Sequence, residues 1–225
     1  MNSRQIYGVS GKIFLPVCTL IFALSLRDFS QAFGQHLVNH YPNGNKKSEG
    51  DCVDSLREGP WLFYYPSGKI EATENYHHGL LDGDIYNYDE NSKLIAWEHW
   101  VNGSQEDSSL YYYPDGSLDK KGIFRNSLHE GIWFFYFPGG RLKRTGMYRN
   151  GLPDGPWIFY SEQGVRLQEG NFKTGAEDGE WKFYDKKGIL KYSGQFTMGQ
   201  ETGTWYKYRK DGKRKIYRIY YDRAN

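Results

Sequence analysis

The sequence predicts an all-β fold, an elongated open antiparallel sheet of stacked β-hairpins, and three observations carry that prediction. Aromatic residues (Tyr 20, Phe 13, Trp 7) outweigh the aliphatic share a helical core would need, which favours short strands. The glycine content (27) matches frequent turns between the aromatic runs. From Gln35 onward one pattern repeats every 24 residues without an insertion, the mark of a repeat architecture.

The elements follow in order. Residues 1–34 have the features of a secretory signal: Arg4 and Lys12 form a basic start, and Ile13 to Leu26 is an apolar run. That run is short for a membrane span. Ala32-Phe33-Gly34 offers small residues for cleavage before Gln35, so export to the periplasm, envelope or medium is expected. Cys18 lies inside the apolar run, where Val17 makes a poor lipidation context, and Cys52 would then stand alone in the body. No disulfide framework follows.

The body is 35–225, with units starting at 35, 59, 83, 107, 131, 155, 179 and 203. In the clearest unit Ile132 to Phe137 is a β-prone run and Pro138-Gly139-Gly140 a turn. Arg141 to Arg149 is the second strand, and Asn150 to Asp154 turns the chain again. The opening glycine recurs at Gly59, Gly83, Gly131, Gly155, Gly179 and Gly203, broken at Asp107. Two residues on stand Trp61, Ile85, Ser109, Trp133, Trp157, Trp181 and Trp205. Five residues on is an unbroken tyrosine column: Tyr64, Tyr88, Tyr112, Tyr136, Tyr160, Tyr184 and Tyr208. Strand alternation puts the Trp/Phe column on one face and the Tyr column on the other. Pairing around Gly139-Gly140 sets Trp133 opposite Gly146, where a missing side chain would let the indole lie flat. Trp157 with Gly170 and Trp181 with Gly194 repeat this, whereas Trp61 with Glu74 and Trp205 with Arg218 do not. Eight such units make a strip about 75 Å long.

These units resemble the MORN-type repeat, specifically the 24-residue variant of bacterial YwqK-family antitoxins. The residues that carry the resemblance are Gly155, Trp157, Phe159, Tyr160, Gly164, Leu167, Gly170, Phe172 and Gly175, with equivalents elsewhere in 35–225. The resemblance implies a binding or scaffold surface without an active site.

The residues themselves point the same way. Without its first 34 residues the chain carries no net charge, which gives no general electrostatic case for nucleic acid. No nucleophile–base arrangement, phosphate loop or HExxH is present, so no catalytic residue and no cofactor is expected. A metal site at His77-His78 is not expected either, because neighbouring strand side chains point to opposite faces. A carboxylate column (Glu58, Asp82, Glu106, Glu130, Asp154, Asp178) reads as caps, each on its own turn.

Three candidate binding features remain: the tyrosine column, the pair Trp97 and Trp100 beside the units that lose Trp, and a basic last unit. That unit carries Lys207, Arg209, Lys210, Lys213, Arg214, Lys215 and Arg218, and it suits edge protection or an anionic surface. The expected function is an exported, non-enzymatic module that binds another protein, with a glycan or membrane surface as the alternative.

Overall fold

The computed structural model describes residues 34–220; residues 1–33 of the expected signal segment lie outside them. The described residues form one antiparallel sheet of 17 strands. These are β1 (Gln35–His40), β2 (Lys46–Val53), β3 (Leu56–Tyr64), β4 (Ile70–His77), β5 (Leu80–Leu81) and β6 (Gly83–Tyr88). The middle strands are β7 (Leu94–Val101), β8 (Ser104–Tyr112), β9 (Leu118–Arg125), β10 (Leu128–Tyr136), β11 (Leu142–Arg149) and β12 (Leu152–Tyr160). The last are β13 (Arg166–Lys173), β14 (Ala176–Tyr184), β15 (Leu190–Thr197), β16 (Gln200–Tyr208) and β17 (Arg214–Tyr220). Each strand pairs with its neighbour in sequence, except that β5 and β6 both pair with β4, so β1 and β17 are the two open edges.

Two kinds of turn alternate along the sheet. The first closes four residues, as where Gly140 N–H donates to Phe137 O at 3.0 Å. The second is a two-residue hairpin turn with both residues at positive φ, as at Asn150 (49°) and Gly151 (80°), a geometry that matches strand twist. This second turn is shorter than the sequence suggested. Leu152, Pro153 and Asp154 already belong to β12, and β10 begins at Leu128 instead of Ile132. The opening glycines Gly59, Gly131, Gly155, Gly179 and Gly203 therefore sit inside the strands, and only Gly83 begins one, after the break between β5 and β6. Gly131 (φ 65°) and Gly203 (φ 60°) mark bulges where the ladder slips against the preceding strand. Asp107 holds the same conformation at φ 55°, which Asp tolerates better than most residues.

The core is a single stripe on one face. The position two residues after each bulge is buried throughout: Trp61, Ile85, Ser109, Trp133, Trp157, Trp181 and Trp205 are all 5% exposed or less. Trp133 pairs with Gly146 as the register predicts, yet its indole does not lie over that residue. A Cβ on Gly122 would overlap the Trp133 ring, and Gly146 lies under Trp157, Gly170 under Trp181, Gly194 under Trp205 and Gly50 under Trp61. Each indole thus folds back over the strand before its own. Trp61 and Trp205, exceptions under the hairpin reading, obey this rule. The bulge also gives the indole a polar partner: Trp133 Nε1 donates to Ile123 O at 3.1 Å, and Trp61, Trp157 and Trp181 bond the equivalent carbonyls. Edge-on contacts such as Phe172 with Trp181 (5.2 Å) knit successive units together, each such pair contributing about 0.5–1.5 kcal/mol beyond area burial.

Candidate functional site

The glycine–tryptophan rule isolates one region. Where the glycine position holds Glu74, the following unit has Ile85 in place of Trp, and where it holds Glu98, the next has Ser109. Side-chain volume moves from the indole to the carboxylate, and the stripe stays filled. In the process two glutamates enter an aromatic face.

Each is held by a network. Glu74 accepts from the Tyr76 hydroxyl, and Arg57 Nη1 donates to that hydroxyl at 2.6 Å. The Arg57 guanidinium lies 4.6 Å from the Trp61 ring and 5.0 Å from that of Tyr76. Burial raises the Glu74 carboxyl above its ordinary value, against the opposing pull of Tyr76 and Arg57. Burial and the Glu74 carboxylate together hold the Tyr76 phenol well above its usual range. In the next unit Glu98 accepts from Tyr111 OH at 2.8 Å and from Trp100 Nε1 at 3.1 Å. Gln105 Nε2 donates to both Ser109 Oγ and Tyr111 OH at 3.0 Å. Ser109 is fully buried and Gln105 is 8% exposed. The Tyr111 phenol is pushed up to about 12 by burial and the Glu98 carboxylate. The arrangement offers carboxylate acceptors among aromatic rings, which suits oriented binding.

The candidates expected from sequence fare differently. Trp97 and Trp100 are three residues apart on β7, so they project to opposite faces. Trp100 joins the Glu98 network, whereas Trp97 sits across from Tyr86 and Leu110 with its Nε1 buried and unbonded. The tyrosine column is half-buried in every unit, and three of its members bond into the preceding one. Tyr184 OH donates to Glu169 at 2.5 Å, Tyr208 meets Ser193 at 3.1 Å, and Tyr64 bonds Glu49. It joins units more than it forms an exposed platform.

The basic cluster does not form one patch. Lys207 pairs with Lys215, and Arg218 lies opposite Trp205 on the tryptophan face; Arg214 lies opposite Tyr208 on the other face. Arg209, Lys210 and Lys213 belong to the terminal turn. Nor is β17 a wholly charged edge, since Ile216, Tyr217 and Ile219 are exposed beside the bases.

The carboxylate column does cap turns, but those of the following unit. Glu106 accepts from Asn126 N–H at 2.8 Å, Glu130 from Asn150 at 2.9 Å and Asp82 from Asn102 at 3.1 Å. A second row of staples was not anticipated: Tyr41, Tyr65 and Tyr113 donate to the carbonyls of Tyr64, Tyr88 and Tyr136.

His77 and His78 also depart from expectation. The positive φ of His78 (49°) cancels strand alternation and brings the two rings to 4.0 Å.

The sequence reasoning missed Glu74, Glu98, Gln105, Ser109 and Tyr111. The signal is the residue eleven before each tryptophan, whereas pairing within a hairpin points to the residue thirteen after.

Four stretches of the chain match the MORN repeat variant: 57–78, 130–150, 153–174 and 177–197. Each contains one of the tryptophans Trp61, Trp133, Trp157 and Trp181, and the region with Glu98 and Ser109 falls between matches. None of the curated proteins matches the chain. Among solved structures, one titled "Crystal structure of GtfA/B complex bound to UDP and GlcNAc" is similar at 12% identity over 52% of this chain, with a TM-score of 0.24. The match spans 22% of that structure's chain.

Proposed function

We propose that this protein is a non-enzymatic, exported binding module whose partner is another protein, docked on the tryptophan face across the units that begin at 83 and 107. The observation that supports this reading is the exchange of Gly–Trp for Glu98–Ser109, which sets carboxylate and amide groups within an otherwise aromatic stripe. Interfaces draw affinity from aromatic anchors, and a few polar groups set orientation. A purely structural repeat would gain nothing from replacing a buried indole with a carboxylate that must be desolvated. Neutralisation of a toxin is the specific form implied by the resemblance, and an envelope scaffold is the general one. A glycan is the second reading, favoured by the Trp100 ring beside the Glu98 carboxylate.

The test is capture with the tagged full-length protein, comparing the unaltered chain with Trp100→Ala and with Lys213→Ala/Lys215→Ala. A stoichiometric protein partner lost only with Trp100→Ala supports the reading. Binding to a polysaccharide panel with the same dependence moves the glycan to first place. Capture that depends only on the lysines moves the docking site to the basic end and overturns the proposal.

A further inference from the structure

We infer that Glu58, His77 and His78 form a binding site for a divalent transition-metal ion of the zinc, nickel or copper type. The three side chains come from adjoining units, and their ligand atoms all lie within 4.8 Å of one another. His77 Nδ1 is 2.8 Å from Glu58 Oε1, and His78 Nδ1 is 3.7 Å from Glu58 Oε2. Donors around a tetrahedral zinc, with bonds of about 2.0–2.1 Å, stand about 3.3–3.4 Å apart. Shifts of a few tenths of an ångström in exposed side chains would bring both His–Glu pairs to that separation.

The repeat itself separates what the fold requires from what has been added. Placing the carboxylate is a structural matter: Glu58 accepts from His78 N–H at 2.7 Å, as Glu130 does from Asn150 and Glu106 from Asn126. The imidazoles are the addition. At the positions of His77 and His78 other units carry Val101-Asn102, Arg125-Asn126, Arg149-Asn150, Lys173-Thr174 and Thr197-Met198. Three of these five units carry Asn at the second position, which suits the positive φ of the turn, and the others carry Thr174 and Met198, so the turn does not require the His78 ring. Its conformation turns the second imidazole to the same side as the first.

Two neutral imidazoles and one carboxylate make a donor set for borderline metals, not for calcium or magnesium, which prefer oxygen. The side chains are open to solvent, His77 at 55%, His78 at 74% and Glu58 at 31%, so water completes the shell. A bound ion would tie the end of β4 and its turn to β3, stabilising that junction in proportion to ion concentration.

The test uses the untagged full-length protein, freed of metal with a chelator and titrated with Zn²⁺ by calorimetry, with imidazole NMR as a second readout. The control is His77→Val/His78→Asn, which installs residues found at the same positions one unit later and so preserves the turn. One saturable Zn²⁺ per chain, weakened at least tenfold in the control and absent with Mg²⁺, supports the site. Glu58→Gln, which keeps an acceptor for the turn N–H, should weaken binding about tenfold. Equal binding by the control variant, or no saturable binding below about 1 mM, would show that the cluster only caps its turn.

Discussion

The units from 131 onward and those between 59 and 130 share backbone, register and period, yet they fill their shared stripe differently. In the later units an indole occupies the space above a glycine, so the stripe is apolar, and Trp133, Trp157 and Trp181 each donate to a carbonyl freed by the bulge, whereas the Trp205 Nε1 is buried without a partner. In the earlier ones a glutamate fills the space left by a smaller neighbour, and hydrogen bonds from Tyr76, Tyr111 and Trp100 take over from ring packing. The difference teaches that the strand ladder sets volume but not chemistry at this position. A stripe can exchange apolar for polar filling one unit at a time, because each unit contacts only its neighbours.

The strongest way to break the comparison is to empty the stripe. Trp133→Ala removes a fully buried ring and should destabilise the protein by about 3–5 kcal/mol, whereas Ser109→Ala should cost about 1 kcal/mol through the lost Gln105 bond. Urea unfolding followed by tryptophan fluorescence measures both; equal losses would mean that the indoles do not dominate the regular units. Next comes Gly146→Ala, whose added methyl overlaps the Trp157 ring. A loss of about 1–3 kcal/mol is expected from that overlap.

A swap sharpens the comparison further. Ser109→Trp alone must drive an indole into the Glu98 side chain, and Glu98→Gly alone leaves Tyr111 and Trp100 without their acceptor. Each should destabilise by about 1–3 kcal/mol. Together they rebuild a regular pair, so the double-mutant cycle should show a favourable coupling of about 1 kcal/mol or more. Additivity would refute volume exchange as the rule.

The smallest effect is one of pH, and its sign differs between a glutamate that fills the stripe and a histidine packed on a regular indole. Glu74 has its folded-state value raised by burial above 4.5, so the native state holds that proton longer than the unfolded chain does. Its contribution to stability falls as pH rises from about 4.5, and Glu74→Gln should remove the fall. His129 packs 4.0 Å from the Trp133 ring, and burial and the nearby Lys120 lower its value below 6.5. There the contribution is full above 6.5 and is lost as pH drops, a slope that His129→Gln should flatten. Hydrogen exchange of β4 and β10 between pH 4.5 and 7 would follow the two separately; slopes of the same sign would contradict the assignment.

Much of this could be read from residues alone. The 24-residue spacing, the alternation of Trp and Tyr faces and the pairing of Trp133 with Gly146 depend on strand periodicity, which sequence carries locally. The bulge was hidden because Gly131 reads equally well as a turn residue; only its place beside Ile123 and Tyr148 on the neighbouring strands shows that it interrupts a ladder. Trp97 and Trp100 drew notice as aromatics near a disrupted repeat, but the polar centre was carried by Glu98 and Gln105, which look like ordinary strand polars until their neighbours are known.

By itself, then, the sequence determined the hairpin unit, its repetition and the two faces of the sheet, since each rests on contacts within a strand or across one turn. The tertiary structure alone decided which glycine lies under each indole, which turn each carboxylate caps and whether His77 and His78 meet. A strictly periodic chain places equivalent partners both before and after every residue, and counting cannot choose between them. The direction comes from the positive-φ bulge and turn residues, which lean the indole back to the preceding unit and bring the next unit's turn over the waiting carboxylate.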